Sequence, residues 1–159
     1  MTKFEDDLKR GMEFEQQVLN VLNKDSVKYI KNPDEKWIDL LEISGGVEVK
    51  ADHYNFHKNI KNGNAYIEFE SYWKPSGIFK EEAYDLKRWI HSVSPESFFI
   101  LHWKKFRKWI REKIEACNAN SSNTSKGFRT VNWGDGNRTK GLLVPVAELE
   151  KQAFSYYNI

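Results

Sequence analysis

Around residue 45 two alternating runs meet at a pair of glycines. Residues 37–43 read WIDLLEI, residues 46–51 read GVEVKA, and Ser44-Gly45-Gly46 lies between them. Alternation at period two marks strands, and a short Gly-rich link between two strands marks a hairpin. Side chains on a strand point to opposite faces in turn. The first strand therefore groups Trp37, Asp39, Leu41 and Ile43 on one face, which makes Asp39 an acid on a core-like side. The second groups Glu48 with Lys50 on one face and Val47, Val49 and Ala51 on the other. Turning at 44–46 sets Asp39 opposite Glu48 or Lys50, depending on register. In both registers Asp39 and Glu48 can share one ion, because diagonal neighbours lie about 7–8 Å apart.

The rest of the chain supplies what such a hairpin needs to fold on. Residues 3–23 predict an amphipathic helix, with Phe4, Leu8, Met12, Val18, Leu19 and Leu22 at three- and four-residue spacing. A third strand is predicted at 65–71 and a turn at Lys74-Pro75-Ser76-Gly77. Residues 80–92 predict a helix through Ala83, Leu86, Lys87 and Ile90. Residues 97–103 form the most apolar strand, expected to be central. Residues 104–117 predict a basic helix that turns Phe106, Trp109, Ile110, Ile114 and Cys117 inward. Residues 118–138, rich in Asn, Ser, Gly and Thr, read as a long polar loop. A strand at 141–146 follows, placed at a sheet edge by Pro145, and a short helix begins near 147. The expected order is α-β-β-β-α-β-α-β: a single α/β domain over 1–159, with one mixed sheet flanked by helices.

Composition narrows the function classes. With 159 residues, 40% hydrophobic and 14% aromatic, the chain can bury a core and is not a disordered segment. No apolar run reaches the roughly 20 residues of a membrane span. The charged N-terminus lacks a signal-peptide centre, so a cytoplasmic protein with no membrane partner is expected. The lone Cys117 permits no internal disulfide. A net charge of +2 does not announce a nucleic-acid binder. Basic residues do cluster late, in KKFRKWIREK at 104–113 and at Lys126, Arg129, Arg138 and Lys140, while acids cluster at 5–15, 34–48 and 68–85. That asymmetry suits a phosphate polymer meeting a metal site, although each run alone reads more readily as a solvated face.

Two carboxylates on adjacent strands can hold a hard cation such as Mg²⁺, with Mn²⁺ as its substitute. A lysine between them keeps its charge and suits electrostatic stabilisation better than base catalysis. Asp39, eight intervening residues and then Glu48-Val49-Lys50 across a hairpin resembles the motif of the PD-(D/E)XK nuclease superfamily. The resemblance spans residues 8–103 and has Ile38 where the motif's name has proline. Gly11-Met12-Glu13-Phe14-Glu15 is similar to the helix segment that carries a further acid in many members, and Glu15 falls on the predicted buried stripe. Residues 64–68 followed by Lys74-Pro75-Ser76-Gly77-Ile78 look like small phage-encoded members, which would act in the host cytoplasm. The resemblance implies a restriction-endonuclease-like αβββαβ core and Mg²⁺-dependent hydrolysis of DNA, as an endonuclease. It implies metal ligation by Asp39, Glu48 and the Val49 carbonyl, helped by Glu15, with Lys50 assisting catalysis; apart from the resemblance, Glu68 on the third strand reads either as an outer metal ligand or as a solvent-facing acid. A two-fold homodimer would cut two strands at once.

Other residues carry weaker signals. Lys74, Ser76, Lys80, Lys126, Arg129 and Arg138, with Tyr84 and Lys87, are candidates for DNA contact, each also readable as ordinary surface. Glu68 and Glu70 share a strand face with Tyr66. His53 and His57 have helical zinc spacing, but no third ligand is near. Trp73, Trp89, Trp103 and Trp109 read as core, whereas Trp133 either stacks on an unpaired base or pins the polar loop. Two other functions stay open: a non-catalytic nucleic-acid-binding module on the same fold, and an accessory protein whose aromatic surface binds another protein.

Overall fold

The computed structural model describes residues 3–25, 28–33, 39–52, 63–80, 85–133, 136 and 138–159. Helix α1 spans Lys3–Leu22. Short strands β1 (Ile30–Lys31) and β2 (Leu40–Glu42) lead into β3 (Gly45–Lys50). Strand β4 (Asn64–Ser71) turns into β5 (Lys74–Pro75) and a 3-10 turn at Gly77–Phe79. Strands β6 (Leu86–Ser94) and β7 (Ser97–His102) then run into helix α2 (Trp103–Asn118). The chain ends with β8 (Thr124–Ser125), β9 (Phe128–Trp133), β10 (Thr139–Pro145), helix α3 (Val146–Gln152) and β11 (Ser155–Asn158).

These elements make a mixed α/β fold with two sheets instead of the single sheet expected. One sheet has the order β1-β2-β3-β6-β7-β11, and the other has the order β5-β4-β10-β9-β8. The first is mixed, because β3 and β6 are parallel while its other pairs are antiparallel. The predicted third strand, β4, therefore belongs to the second sheet and pairs with β10.

Three further expectations fail for identifiable reasons. The helix expected over 80–92 gives way from Leu86 onward to β6, an interior strand, while residues 81–84 lie outside the described residues. Residues 89–92 are all buried, because β6 has packed layers on both faces. Such a strand loses its polar alternation, which let Leu86 and Ile90 pass for a helical repeat. The stretch 118–138 is not one long loop, since β8 and β9 form a hairpin within it. Strand β10 is the middle strand of its sheet, and Pro145 is tolerated at its last position, where pairing ends.

Two apolar layers hold the fold together. Phe14 and Val18 of α1 pack with Leu40, Val47, Val49, Ile90, Phe98 and Ile100 on one face of the first sheet. Leu8 and Met12, predicted to be inward, are 55% and 47% exposed, and the buried residues of α1 are Phe14 and Val18 in its C-terminal half, among the described side chains. The larger layer joins Trp89, Phe99 and Leu101 to Ala65, Ile67, Leu142 and Val144 of the second sheet and to Phe106, Ile110, Ile114 and Cys117 of α2. The spacing of those four α2 residues makes the apolar stripe that was legible in the sequence. Each fully buried large side chain contributes about 1.5–3 kcal/mol. Among the described residues no helix is long and apolar enough to cross a membrane.

Candidate active site

The β2–β3 hairpin resolves the register. Leu40 pairs with Val47 and Leu41 with Gly46, which sets Asp39, just before β2, opposite Glu48. The buried member of β2 is Leu40, on the α1 side with Val47 and Val49. Asp39 therefore shares the other face with Glu48 and Lys50, a face the notion of a core-like Asp39-Leu41-Ile43 side did not describe. Ile43 is fully exposed.

Asp39 takes the place that a longer β2 would occupy. Its Oδ2 accepts a hydrogen bond from the Val49 N–H at 2.6 Å, and its carbonyl accepts one from the Asn32 N–H at 3.0 Å. A strand residue directs its N–H and C=O to the same edge. The Val49 carbonyl thus faces the edge where the Asp39 carboxylate stands. Glu48 is 9% exposed and is ion-paired to Lys50.

The electrostatics bind these groups into one set. Burial and then the Glu48 charge push the Asp39 carboxyl up to about 6, against the opposing pull of Lys50, the Val49 N–H and Lys80. Burial alone would lower the Lys50 ammonium, but Glu48 and then Asp39, with Glu68 beyond them, hold it above its ordinary value. Lys50 is therefore a fixed cation. Asp39, Glu48, Lys50, Glu68 and Lys80 all lie within electrostatic reach of this centre.

The other candidates divide. Glu68 accepts a hydrogen bond from Ser76 Oγ, so Ser76 orients an acid. Gly77, at φ 51°, makes that contact possible: a Cβ there would strike the Glu68 carbonyl. Glu70 pairs with Lys140 at 2.6 Å, at the far end of β4. Glu15 is half-buried on α1, which packs across the sheet from the face carrying Asp39, Glu48 and Lys50. Lys74 and Arg138 stand exposed at one end of the second sheet, while Lys126, in the β8–β9 turn, lies at the other with Arg129 near it. Lys87 is exposed beside Gly45. On α2, Arg107 lies over Trp103, Arg111 over Phe79 and Lys113 over Phe128, so part of the basic helix covers aromatic rings. His53, His57, Tyr84 and the Trp133 side chain lie outside the described residues.

One cluster was missed. Asp52 and His91 are both buried, with Asp52 Oδ2 3.1 Å from His91 Nε2 and accepting the Tyr66 N–H at 2.8 Å. Asp52 also donates its N–H to Ser92 Oγ, and Trp89 Nε1 donates to His91 Nδ1 at 3.4 Å. Asp52 thus ties β4 of one sheet to β6 of the other, two residues beyond Lys50. The signal was available: Glu48, Lys50 and Asp52 continue one strand face at period two.

Among the described residues, no three His, Cys, Asp or Glu side chains are gathered as a metal-holding group. The donor set is two carboxylates and one carbonyl. Comparison with known proteins finds no matching family model, no matching curated protein and no matching solved structure.

Proposed function

We propose that this protein is a Mg²⁺-dependent nuclease that hydrolyses phosphodiester bonds in DNA as an endonuclease, with its centre at Asp39, Glu48 and Lys50. The observation that carries the reading is the convergence of two mutually repelling carboxylates and an ammonium on one face of a hairpin. Holding two such acids together is unfavourable without a positive partner. The available donors are all oxygen, which is the preference of Mg²⁺, and that ion fills its remaining positions with water. Asp39, Glu48 and the Val49 carbonyl would hold it. When bound, such a cation polarises a phosphoryl oxygen and makes water a better nucleophile.

The chain's own residues do the rest. Lys50, kept charged by its two acids, stabilises the negative charge that develops on the phosphoryl oxygens. The Val49 N–H fixes one Asp39 oxygen, leaving the other to face the centre. Ser76 holds Glu68 in place on the neighbouring sheet. The restriction-endonuclease-like part of this reading rests on α1, β2 and β3, since the αβββαβ order expected for the whole core is not the order of the elements. The experiment is incubation of labelled duplex, single-stranded and branched DNA with Mg²⁺ or Mn²⁺. Cleavage that depends on the cation and disappears in Glu48→Ala and Lys50→Ala supports the reading, and cleavage unchanged in both overturns it.

The Glu48–Lys50 ion pair favours a second reading, a DNA-binding module without chemistry, because it neutralises Glu48 with no cation. That module would show no Mn²⁺-dependent rise in Tm, and only salt would govern its affinity.

A further inference from the structure

The β4–β5 hairpin carries the feature that the hydrolytic centre does not use. Glu70 pairs with Pro75 and Ser71 with Lys74, so the loop is the two residues Tyr72 and Trp73. Both have positive φ, 50° and 61°, the backbone of a type I′ turn. Asn and Gly normally fill these positions, because side chains crowd the backbone there. Here the positions hold two large aromatics, and neither is buried: Tyr72 is 56% and Trp73 75% exposed. Core packing therefore does not account for them.

The surroundings are cationic. The Arg138 guanidinium lies 5.4 Å from the Tyr72 ring centre, and the Tyr72 N–H donates to the Arg138 carbonyl at 2.8 Å. Lys74 is exposed next to Trp73, while Lys140, two residues beyond Arg138, is paired with Glu70. The tip is also firmly mounted. Below it the Ser76 N–H donates to the Phe69 carbonyl at 3.1 Å, and Ser76 Oγ donates to Glu68. At about 3.4 Å per residue, Tyr72 stands roughly 14 Å along β4 from Glu68.

We propose that the Tyr72–Trp73 tip is a stacking platform for an unpaired base of the DNA substrate, with Arg138 and Lys74 taking the adjoining phosphates. An exposed indole beside two cations fits a base with a free π-face and a charged backbone. A continuous duplex hides its base faces and offers this tip only phosphates. The substrate class is therefore DNA with bases out of the stack, at forks, branches or single-stranded ends. The proposal rests on the nuclease reading for its biological substrate, but its binding step needs no cation.

The test uses the full chain in EDTA. The probes are a Y-fork with 2-aminopurine at the branch and a duplex of equal length. Wild type should bind the fork more tightly and change the 2-aminopurine fluorescence on binding. Trp73→Ala should weaken fork binding about tenfold and duplex binding less than twofold. Trp73→Phe should stay within about threefold of wild type. The double variant Tyr72→Asn/Trp73→Gly, which suits the turn better, should stay folded and lose the fork preference equally. Fork affinity unchanged in Trp73→Ala, equal weakening of fork and duplex, or no wild-type preference would overturn the proposal; a Trp73 that serves a protein partner gives the first result. Wild-type cleavage with Mn²⁺ is measured separately. Its absence sinks the nuclease reading and leaves the EDTA binding result standing.

Discussion

The two hairpins depart from ordinary burial in opposite senses. At β2–β3 the chain draws charge inward: Glu48 is 9% exposed, and Asp39 is held up near 6 by burial and by its neighbour. At β4–β5 it pushes apolar rings outward, on a backbone that costs L-residues roughly 1–2 kcal/mol each. Charged residues are seldom buried unless paired, and large exposed apolar side chains become informative when they cluster. The first hairpin gives up stability in desolvated charge and the second in turn geometry. Both are joined through β4, which carries Glu68 and leads into the Tyr72–Trp73 loop.

The largest effect should come from the first hairpin. Lys50→Ala should lower Mn²⁺-dependent cleavage of labelled DNA about 10²–10³-fold, equivalent to about 2.7–4 kcal/mol, while the circular dichroism spectrum stays native. An unchanged rate would leave the buried charges without a catalytic purpose. Next is the link between the hairpins. Gly77→Ala puts a Cβ against the Glu68 carbonyl at φ 51°, and should destabilise the protein by about 3 kcal/mol in urea unfolding. A loss under 1 kcal/mol would mean that Glu68 is not held as described.

The second hairpin should respond with the opposite sign. Tyr72→Asn/Trp73→Gly should stabilise the fold by about 1–2 kcal/mol, read as a higher Tm, because the strained side chains are gone. A lower Tm would show that the rings support the fold after all, and the comparison would dissolve.

The last effect is pH-linked and again concerns Asp39. Its folded pKa, about 6, lies above its ordinary value of 3.8. Between about pH 4 and pH 6 the folded, metal-free chain retains a proton that the unfolded chain has released. This contribution to stability is complete below about pH 4 and is lost as the pH rises through about 6. Asp39→Asn should therefore stabilise the metal-free protein more at pH 7.5 than at pH 4, where the carboxyl is already protonated in the folded chain. Equal effects at both values would mean that neither burial nor the Glu48 charge raises the Asp39 carboxyl.

The β2–β3 hairpin was legible because a Gly-Gly link and period-two alternation mark it locally, whereas its register and the face taken by Asp39 depend on pairing and on the packing of α1. Helix α2 was legible for the same local reason, in Phe106, Ile110 and Ile114. What escaped reading depended on neighbours. β6 looks helical until its partner β3 and the layers on both of its faces are known. β8 and β9 hide in Asn-, Ser- and Thr-rich sequence because their sheet has a solvated side. Trp73 read as core because its type favours burial, and only its positive φ and its place in a two-residue loop reveal otherwise. Asp52 and His91 lie 39 positions apart, and no local pattern joins them.

The most direct test is a Mn²⁺ titration of the metal-free protein followed by electron paramagnetic resonance. Asp39, Glu48 and the Val49 carbonyl should take up one ion per chain, and Glu48→Gln should weaken that uptake at least tenfold. No bound ion in wild type, or the same affinity in Glu48→Gln, would contradict the account.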